Sequence, residues 1–158
     1  HIDIILKSNQ KCKVKINLYG DENRRYVYLK LKELDPMDKN NPDSCYKGRF
    51  PKDIQTLENI LKNKKYVVDL SKIKNDGGGT QYTFLEALDY GCVLILNKKW
   101  TDVDNSIWKD KVNCLTVDNE DELVKILEED IDLSNIIKEG NKILDNNTNV
   151  DDWLNIFP

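Results

Sequence analysis

The chain has 158 residues, of which 39% are hydrophobic and 33% are charged, enough for one ordinary domain with its own core. Its formal net charge of -4 gives no general attraction to nucleic acid or to an anionic membrane surface. No apolar run has the length of a membrane-spanning helix, and no signal peptide is visible, so we expect a cytoplasmic protein without membrane insertion in this segment.

Four cysteines, Cys12, Cys45, Cys92 and Cys114, are widely spaced and lie in or beside apolar runs. We expect them to be reduced thiols that pack as small hydrophobic side chains. The only histidine is His1, and the cysteines form no Cys-x-x-Cys pair. Zinc sites need clustered Cys and His, so the sequence predicts no metal site.

The period of the apolar residues changes along the first half of the chain. Residues 2–6 have the pattern of a helix end, and residues 14–19 alternate as a strand that stops at Gly20-Asp21. Residues 22–34 repeat apolar side chains at helical spacing, and a short strand is expected at residues 45–47, closed by Gly48.

The second half continues this alternation of helices and strands. Pro51 and Asp53 open a helix with an apolar stripe at Ile54, Leu57, Ile60 and Leu61. Further predicted elements are strands at residues 65–71, 92–96 and 112–117, a helix containing Glu86, a helix at 120–129 capped by Asn119, and helical pieces from Asp132 and from Val150.

Short apolar strands that alternate with helices predict an α/β fold with a parallel sheet and right-handed crossovers, in a Rossmann-like three-layer domain. Ligands bind such sheets beyond the carboxyl ends of the strands. The turns at that edge are Gly20-Asp21 and residues 48–50, 71–80 and 97–101. Trp100 lies there, although core packing is the commoner role of tryptophan, and Lys98 and Lys99 are expected to form an ordinary solvated surface.

The most informative segment is residues 76–96, which join a glycine turn to a helix and an apolar strand. Three consecutive glycines, Gly77, Gly78 and Gly79, let a ligand approach the backbone closely, and the N–H groups at a helix start attract anions. The acid Glu86 follows on the helix. We therefore predict a phosphate cradle with a carboxylate that holds a sugar hydroxyl.

The order of these motifs resembles a known family. Six motifs follow one another along the chain: a strand with Gly-Asp, Gly-Arg-Phe-Pro before a helix, a strand ending Leu-Ser, the glycine turn, Phe84-Leu85-Glu86-Ala87, and Tyr90-Gly91-Cys92 before an apolar strand. This order is similar to the carboxyl-terminal half of a GT-B fold, in the retaining family-4-type glycosyltransferases. The resemblance covers nearly the whole chain, 1–158, as a single nucleotide-sugar-binding domain.

The resemblance implies roles for particular residues. Glu86 corresponds to the second acid of the family's Glu-x7-Glu element, which accepts hydrogen bonds from ribose hydroxyls. The other implied positions are Gly77, Gly78, Gly79, Thr80, Gln81 and Tyr82 around the diphosphate and sugar, Arg49 and Phe50 at the nucleobase, and Gly20, Asp21 and Ser71 on loops bordering the cleft.

Two departures from the family's pattern qualify this assignment. Gly78 stands where the family has its first acid, and the nearest acid is Asp76. Either Asp76 reaches the donor sugar across a longer turn, or backbone amides replace that contact. The Arg and Lys that neutralise the diphosphate, and the acceptor-binding half, belong to a part of the family before this stretch. The resemblance therefore implies a donor-binding domain that is inactive alone and peripheral to a membrane only through its other half.

The implied reaction is hexosyl transfer from a nucleoside-diphosphate sugar, with UDP or GDP as the nucleotide, with retention of configuration and without a metal or other cofactor. The acceptor is left open among glycans, lipids, proteins and nucleic acid, the last because residues 82–86 faintly resemble phage DNA glucosyltransferases. Two alternatives stay open. One is a non-catalytic sugar-nucleotide-binding module, favoured by Gly78. The other is a receiver-like or flavodoxin-like regulatory domain, which needs an acidic cluster at strand ends or an anion loop after the first strand, and Asp21 and Asp69 match that cluster only poorly.

Overall fold

The computed structural model describes residues 2–20, 44–51, 53–71 and 82–147. These residues form an α/β structure, as predicted. The helices are α1 (Ile2–Lys11), α2 (Ile54–Leu61), α3 (Tyr82–Asp89), α4 (Glu120–Glu128) and α5 (Ser134–Asn147). The strands are β1 (Leu18–Tyr19), β2 (Tyr46–Gly48), β3 (Tyr66–Asp69), β4 (Val93–Asn97) and β5 (Leu115–Val117), and a 3-10 turn, Lys98–Trp100, follows β4.

The strands form two small sheets. β1 pairs with β2 in parallel, with an irregularity in register between Leu18 and Tyr19. β3 pairs with β4 in parallel, from Tyr66 opposite Val93 to Asp69 opposite Leu96, and β5 lies on the other side of β4. The predicted parallel direction is confirmed for β1 with β2 and for β3 with β4, and the arrangement is compatible with a Rossmann-like fold.

The chain divides into two compact units, each assembled from separate stretches. Unit 1 comprises His1–Asn59 and Val117–Ile131, and unit 2 comprises Ile60–Thr116 and Asp132–Pro158. A single nucleotide-sugar-binding domain over 1–158 stays a prediction.

Unit 1 has a small core between α1 and the strand pair. Leu6, Cys45 and Tyr46 are buried together, and Ile2 and Leu18 pack against them. The apolar side chains of α1 therefore cover the sheet formed by β1 and β2, as expected for a helix with one hydrophobic face.

The opposite end of α1 is attached to the start of α4. The hydroxyl of Ser8, which is fully buried, shares its proton between the Ile4 carbonyl at 2.8 Å and the Glu120 carbonyl at 3.2 Å. The Lys11 ammonium pairs with the Asp121 carboxylate at 2.7 Å, and these hydrogen bonds and charges raise the pKa of Lys11. The contacts from Ser8 to Glu120 and from Lys11 to Asp121 join residues more than 100 positions apart in the sequence.

The strand predicted at residues 14–19 is wrong for most of its length, because only Leu18–Tyr19 forms a strand. The buried side chain of Asn9 takes the place of a strand partner: its amide donates to the Ile16 carbonyl over 2.9 Å and its oxygen accepts the Ile16 N–H over 2.8 Å. Val14, which alternation alone placed in the strand, is 52% exposed. Hydrogen bonds between the Asn9 side chain and the Ile16 backbone therefore replace the strand pairing that the alternation of apolar residues predicts.

Unit 2 is built around β4, whose five residues are all buried. Helix α3 contributes Phe84, Ala87 and Leu88 to the same core, and both α3 and α5 pack on β4. The prediction of a short apolar strand at residues 92–96 is confirmed within one residue. Such a strand needs side chains that are apolar on both faces, which explains its unbroken Val-Leu-Ile-Leu run.

Two predicted helix starts are confirmed by their caps. Asp53 accepts the Thr56 N–H over 2.8 Å and the Thr56 hydroxyl over 2.9 Å, and these hydrogen bonds lower the pKa of Asp53. The side chain of Asn119 accepts the Glu122 N–H over 3.0 Å at the start of α4. The predicted apolar stripe of α2 fails at its first position, because Ile54 is 79% exposed.

The four cysteines are buried and unbonded to one another, as predicted. Burial, reinforced by the nearby Asp110 charge, raises the pKa of Cys114 to about 12. Burial also raises the pKa of Cys92. Both thiols therefore stay protonated at neutral pH, which suits a packing role because the thiolate is the reactive form.

Several predicted elements fall outside the described residues, namely the helix at 22–34, the glycine turn at 77–79 and the helical piece from Val150. Among the described helices, none is both long and apolar enough to cross a membrane.

The turn before β5 contains a backbone conformation that favours glycine. The strand predicted at residues 112–117 starts only at Leu115, because Asn113 closes a turn by accepting the Lys109 N–H over 2.8 Å and donating to the Ile107 carbonyl over 2.8 Å. Within this turn Lys111 has a φ of 59°, in the left-handed region that costs a side-chain-bearing residue about 1–2 kcal/mol.

We expect Lys111→Gly to raise the free energy of unfolding by about 0.5–1 kcal/mol, since the relief of strain exceeds the extra chain entropy of glycine. Urea denaturation followed by circular dichroism measures this change. Lys109→Gly is the matched control: Lys109 is exposed in the same loop without a positive φ, so glycine should destabilise there. Equal destabilisation by both substitutions would contradict the strain at Lys111.

Candidate functional site

In unit 1, two of the predicted ligand-edge loops lie side by side. The N–H of Gly20, which follows β1, donates to the carbonyl of Gly48 over 3.0 Å, and the Tyr46 hydroxyl donates to the Gly20 carbonyl over 2.9 Å. Gly20 and Gly48 have φ values of 142° and 73°, which explains glycine at both positions. The predicted cleft residue Gly20 therefore adjoins the loop that carries Arg49 and Phe50.

This edge of unit 1 presents an aromatic pair. The rings of Tyr19 and Phe50 meet edge to face, with centroids 5.7 Å apart and planes at 88°. Tyr19 is 40% exposed, Phe50 is half-buried and Arg49 is exposed. Flat apolar rings suit stacking on a planar group, and the exposed Arg49 directly precedes Phe50 in the chain. Sequence reasoning missed Tyr19, although its position directly before Gly20 at the end of a strand could have indicated it.

In unit 2, the ligand edge is held by one hydrogen bond between two strand ends. The indole N–H of Trp100, in the 3-10 turn after β4, donates to the Ser71 carbonyl after β3 over 2.9 Å. The Ser71 N–H donates to the Asp69 carboxylate over 2.8 Å. The Ser71 hydroxyl oxygen is buried and has no hydrogen-bond partner among the described residues.

Trp100 belongs to a cluster that we call the aromatic triad, formed by Phe84, Trp100 and Trp108. Phe84 packs edge-on against both indoles, at centroid distances of 5.3 Å to Trp100 and 5.5 Å to Trp108. All three side chains are buried. Trp100 therefore packs in the core, its commoner role, rather than offering its ring to a ligand. The triad joins the first turn of α3 to the segment after β4.

Glu86 lies on α3, among residues that face the core. Its neighbours Phe84, Ala87 and Leu88 are buried, whereas Glu86 itself is half-buried. In the described part of the chain its carboxylate has no hydrogen bond and no ion pair. A half-buried carboxylate with open acceptor positions can receive two hydroxyl donors. Tyr82, the first residue of α3, is 76% exposed.

The remaining predicted site residues lie outside the described ranges: Asp21, Asp76, Gly77, Gly78, Gly79, Thr80 and Gln81. Of the predicted residues that the structure describes, Gly20, Arg49 and Phe50 belong to unit 1, and Ser71, Tyr82 and Glu86 belong to unit 2. The structure thus brings the first three together and places the last three in the unit that contains β3, α3 and β4.

No residue group over the described ranges combines three or more His, Cys, Asp or Glu side chains in a way that could hold a metal ion. Comparisons of the chain with protein-family models, with curated proteins and with solved structures return no match.

Proposed function

We propose that this chain is the donor-binding part of a retaining glycosyltransferase with a GT-B fold, which binds a nucleoside-diphosphate sugar. The observation that carries the proposal is Glu86, a half-buried carboxylate on the helix that follows the glycine turn, which has no hydrogen bond or ion pair with the residues that the structure describes. A carboxylate held in that way costs stability unless a ligand or solvent satisfies it. Ribose offers two neighbouring hydroxyl donors, which match its two oxygens.

The strand-end edge of each unit, taken by itself, carries groups that suit a part of such a ligand. In parallel sheets the carboxyl ends of the strands form the binding edge, and both units place polar backbone groups, glycines or aromatic rings there. The exposed Arg49 guanidinium and the rings of Tyr19 and Phe50 suit a nucleobase. The glycine turn suits the diphosphate, since its backbone can approach phosphate oxygens closely.

The chemistry that we assign to the whole enzyme is transfer of a hexosyl group to an acceptor, with a diphosphate as the leaving group. Charge develops on that diphosphate as the glycosidic bond breaks, so the main electrostatic requirement is stabilisation of an anion. In this proposal Glu86 orients the ribose, and Asp76 contacts the donor sugar in place of the acid that Gly78 replaces.

Isothermal titration of the full chain with UDP and with GDP tests the proposal. We expect measurable binding of one nucleotide, and we expect Glu86→Gln to weaken it by about 1–3 kcal/mol, as for loss of a charge-assisted hydrogen bond. The glutamine variant keeps the shape of the side chain, so loss of packing contributes little.

Asp89→Asn is the matched control, because Asp89 is an exposed carboxylate on the same helix, at its last residue and three positions after Glu86. It should leave the affinity unchanged. Failure of the unmodified chain to bind either nucleotide would overturn the proposed function, and equal losses in both variants would remove Glu86 from the site.

A further inference from the structure

Two aromatic side chains of unit 1, Tyr19 and Phe50, meet where the paired strands β1 and β2 end. We propose that Tyr19 and Phe50 select a purine base in the ligand, which deepens the proposed function and rests on it for the rest of the nucleotide. Ligands of parallel strands bind beyond these carboxyl ends. Tyr19, to which sequence reasoning assigned no role, becomes a specificity-determining residue.

The rings of Tyr19 and Phe50 stand at a right angle, and we call this pair the aromatic corner. Their planes lie at 88° and their centroids are 5.7 Å apart, so the edge of one ring faces the other. A flat group that stacks on one of two perpendicular rings brings its own edge against the second. Tyr19 is 40% exposed and Phe50 is half-buried, so each ring keeps part of its surface open to solvent.

Hydrogen bonds fix the backbone that carries the aromatic corner. The N–H of Gly20, the residue after Tyr19, donates over 3.0 Å to the carbonyl of Gly48, two residues before Phe50. The Gly20 carbonyl in turn accepts the hydroxyl of the buried Tyr46 over 2.9 Å. Both rings therefore start from positions that are held in place, and a rigid binding surface loses less entropy when a ligand docks on it.

The chemistry of the aromatic corner suits the base of a nucleotide, because both side chains are uncharged rings and every base offers a flat face to stack on them. A purine has two fused rings, whereas a pyrimidine has one. A purine that stacks on one ring of the corner therefore buries more apolar area and reaches the second ring with its edge. We expect guanine and adenine to be preferred over uracil.

The test is isothermal titration of the full chain with GDP, ADP and UDP, and with GMP and AMP as purine ligands that carry a single phosphate. We expect GDP and ADP each to bind about threefold to tenfold more tightly than UDP, because stacked area sets the preference. Tyr19→Leu removes the ring and should weaken both purine nucleotides about fivefold or more, with a smaller effect on UDP. Tyr19→Phe keeps the ring and should bind as the unmodified chain does.

The matched control is Tyr90→Leu, because Tyr90 is a half-buried tyrosine of unit 2 that precedes β4 and so lies away from the carboxyl end of that strand. This control should leave the affinities for all the nucleotides unchanged. Thermal unfolding of each variant checks that the substitutions leave the fold intact, which the partly exposed ring of Tyr19 should allow.

The outcomes separate this inference from the proposed function. If UDP binds as tightly as GDP and ADP, and Tyr19→Leu leaves all three affinities unchanged, the purine preference is wrong while the proposed function stands. A preference for GDP that ADP does not share would show base-specific hydrogen bonds instead of stacking, and would also overturn it. If GMP and AMP bind through Tyr19 as tightly as GDP and ADP, the aromatic corner stands and the proposed function loses its support. Equal losses in Tyr19→Leu and Tyr90→Leu, or no binding of any nucleotide, overturn the aromatic corner.

Discussion

Replacement of Phe84 by alanine should lower the free energy of unfolding by about 3–5 kcal/mol, as for removal of a large aromatic side chain from a core. Phe84 is 0% exposed and is the member of the aromatic triad that touches both indoles. Its loss leaves a cavity lined by Trp100 and Trp108. Urea denaturation followed by circular dichroism measures the change without relying on the altered indoles.

Tyr82→Ala provides the control on the same helix, because that ring is 76% exposed. Its effect should stay within about 0.5 kcal/mol, as for surface substitutions in general. If Phe84→Ala were no more destabilising than Tyr82→Ala, the packing of α3 on the triad would be wrong.

Trp100→Phe should lower the free energy of unfolding by about 1–3 kcal/mol, because it leaves the Ser71 carbonyl without its indole donor. The phenyl ring preserves much of the edge-on contact with Phe84. Beyond stability, the loss should speed amide hydrogen exchange in the peptide that contains Leu70 and Ser71. Exchange measured by mass spectrometry reports on this local loosening directly.

Trp108→Phe is the control that separates the effect of losing the hydrogen bond to Ser71 from the effect of replacing an indole by a smaller ring. Trp108 is buried and meets Phe84 at nearly the same distance as Trp100, 5.5 Å against 5.3 Å. In the described part of the chain its indole N–H donates to no protein atom. Exchange at Leu70 and Ser71 should therefore stay slow in this variant. Similar exchange in both variants would show that packing, and not the donor, holds the end of β3.

The elements that sequence reasoning predicted well are those in which several signals coincide. β4 combines an unbroken apolar run with a preceding Tyr-Gly turn, and α4 combines an Asn cap with apolar spacing, so both are confirmed within one residue. The parallel direction followed from alternation of short apolar strands with helices. Local propensity and packing agree at these positions.

Other elements depend on partners that a linear pattern does not reveal. Residues 14–17 alternate like a strand, yet Asn9 satisfies Ile16 and removes it from a ladder. The position of Ile54 fits the helical spacing of the apolar residues, but its side chain is 79% exposed. Helical spacing shows which side chains share one face of the helix, and not whether another element packs against each of them. The first error comes from a side-chain contact that replaces strand pairing, and the second from an exposure that helical spacing alone does not predict.

For the candidate site, the sequence indicated the edge more clearly than the individual contacts. Gly20 and the loop with Arg49 and Phe50 were both assigned to the carboxyl ends of strands, and they do adjoin in unit 1. The contribution of Tyr19 and the bond from Trp100 to Ser71 were not foreseen. Both depend on ring orientation, which residue type alone does not determine.

The bonds from Ser8 to Glu120 and from Lys11 to Asp121 have a consequence for how the chain can fold and be divided. Unit 1 needs residues from before and after Ile60–Thr116, the first stretch of unit 2, and unit 2 in turn includes residues beyond Ile131. During synthesis, α1 must therefore wait for α4 to leave the ribosome, and closing so long a loop slows assembly. For the same reason, no single cut in the polypeptide can release either unit intact.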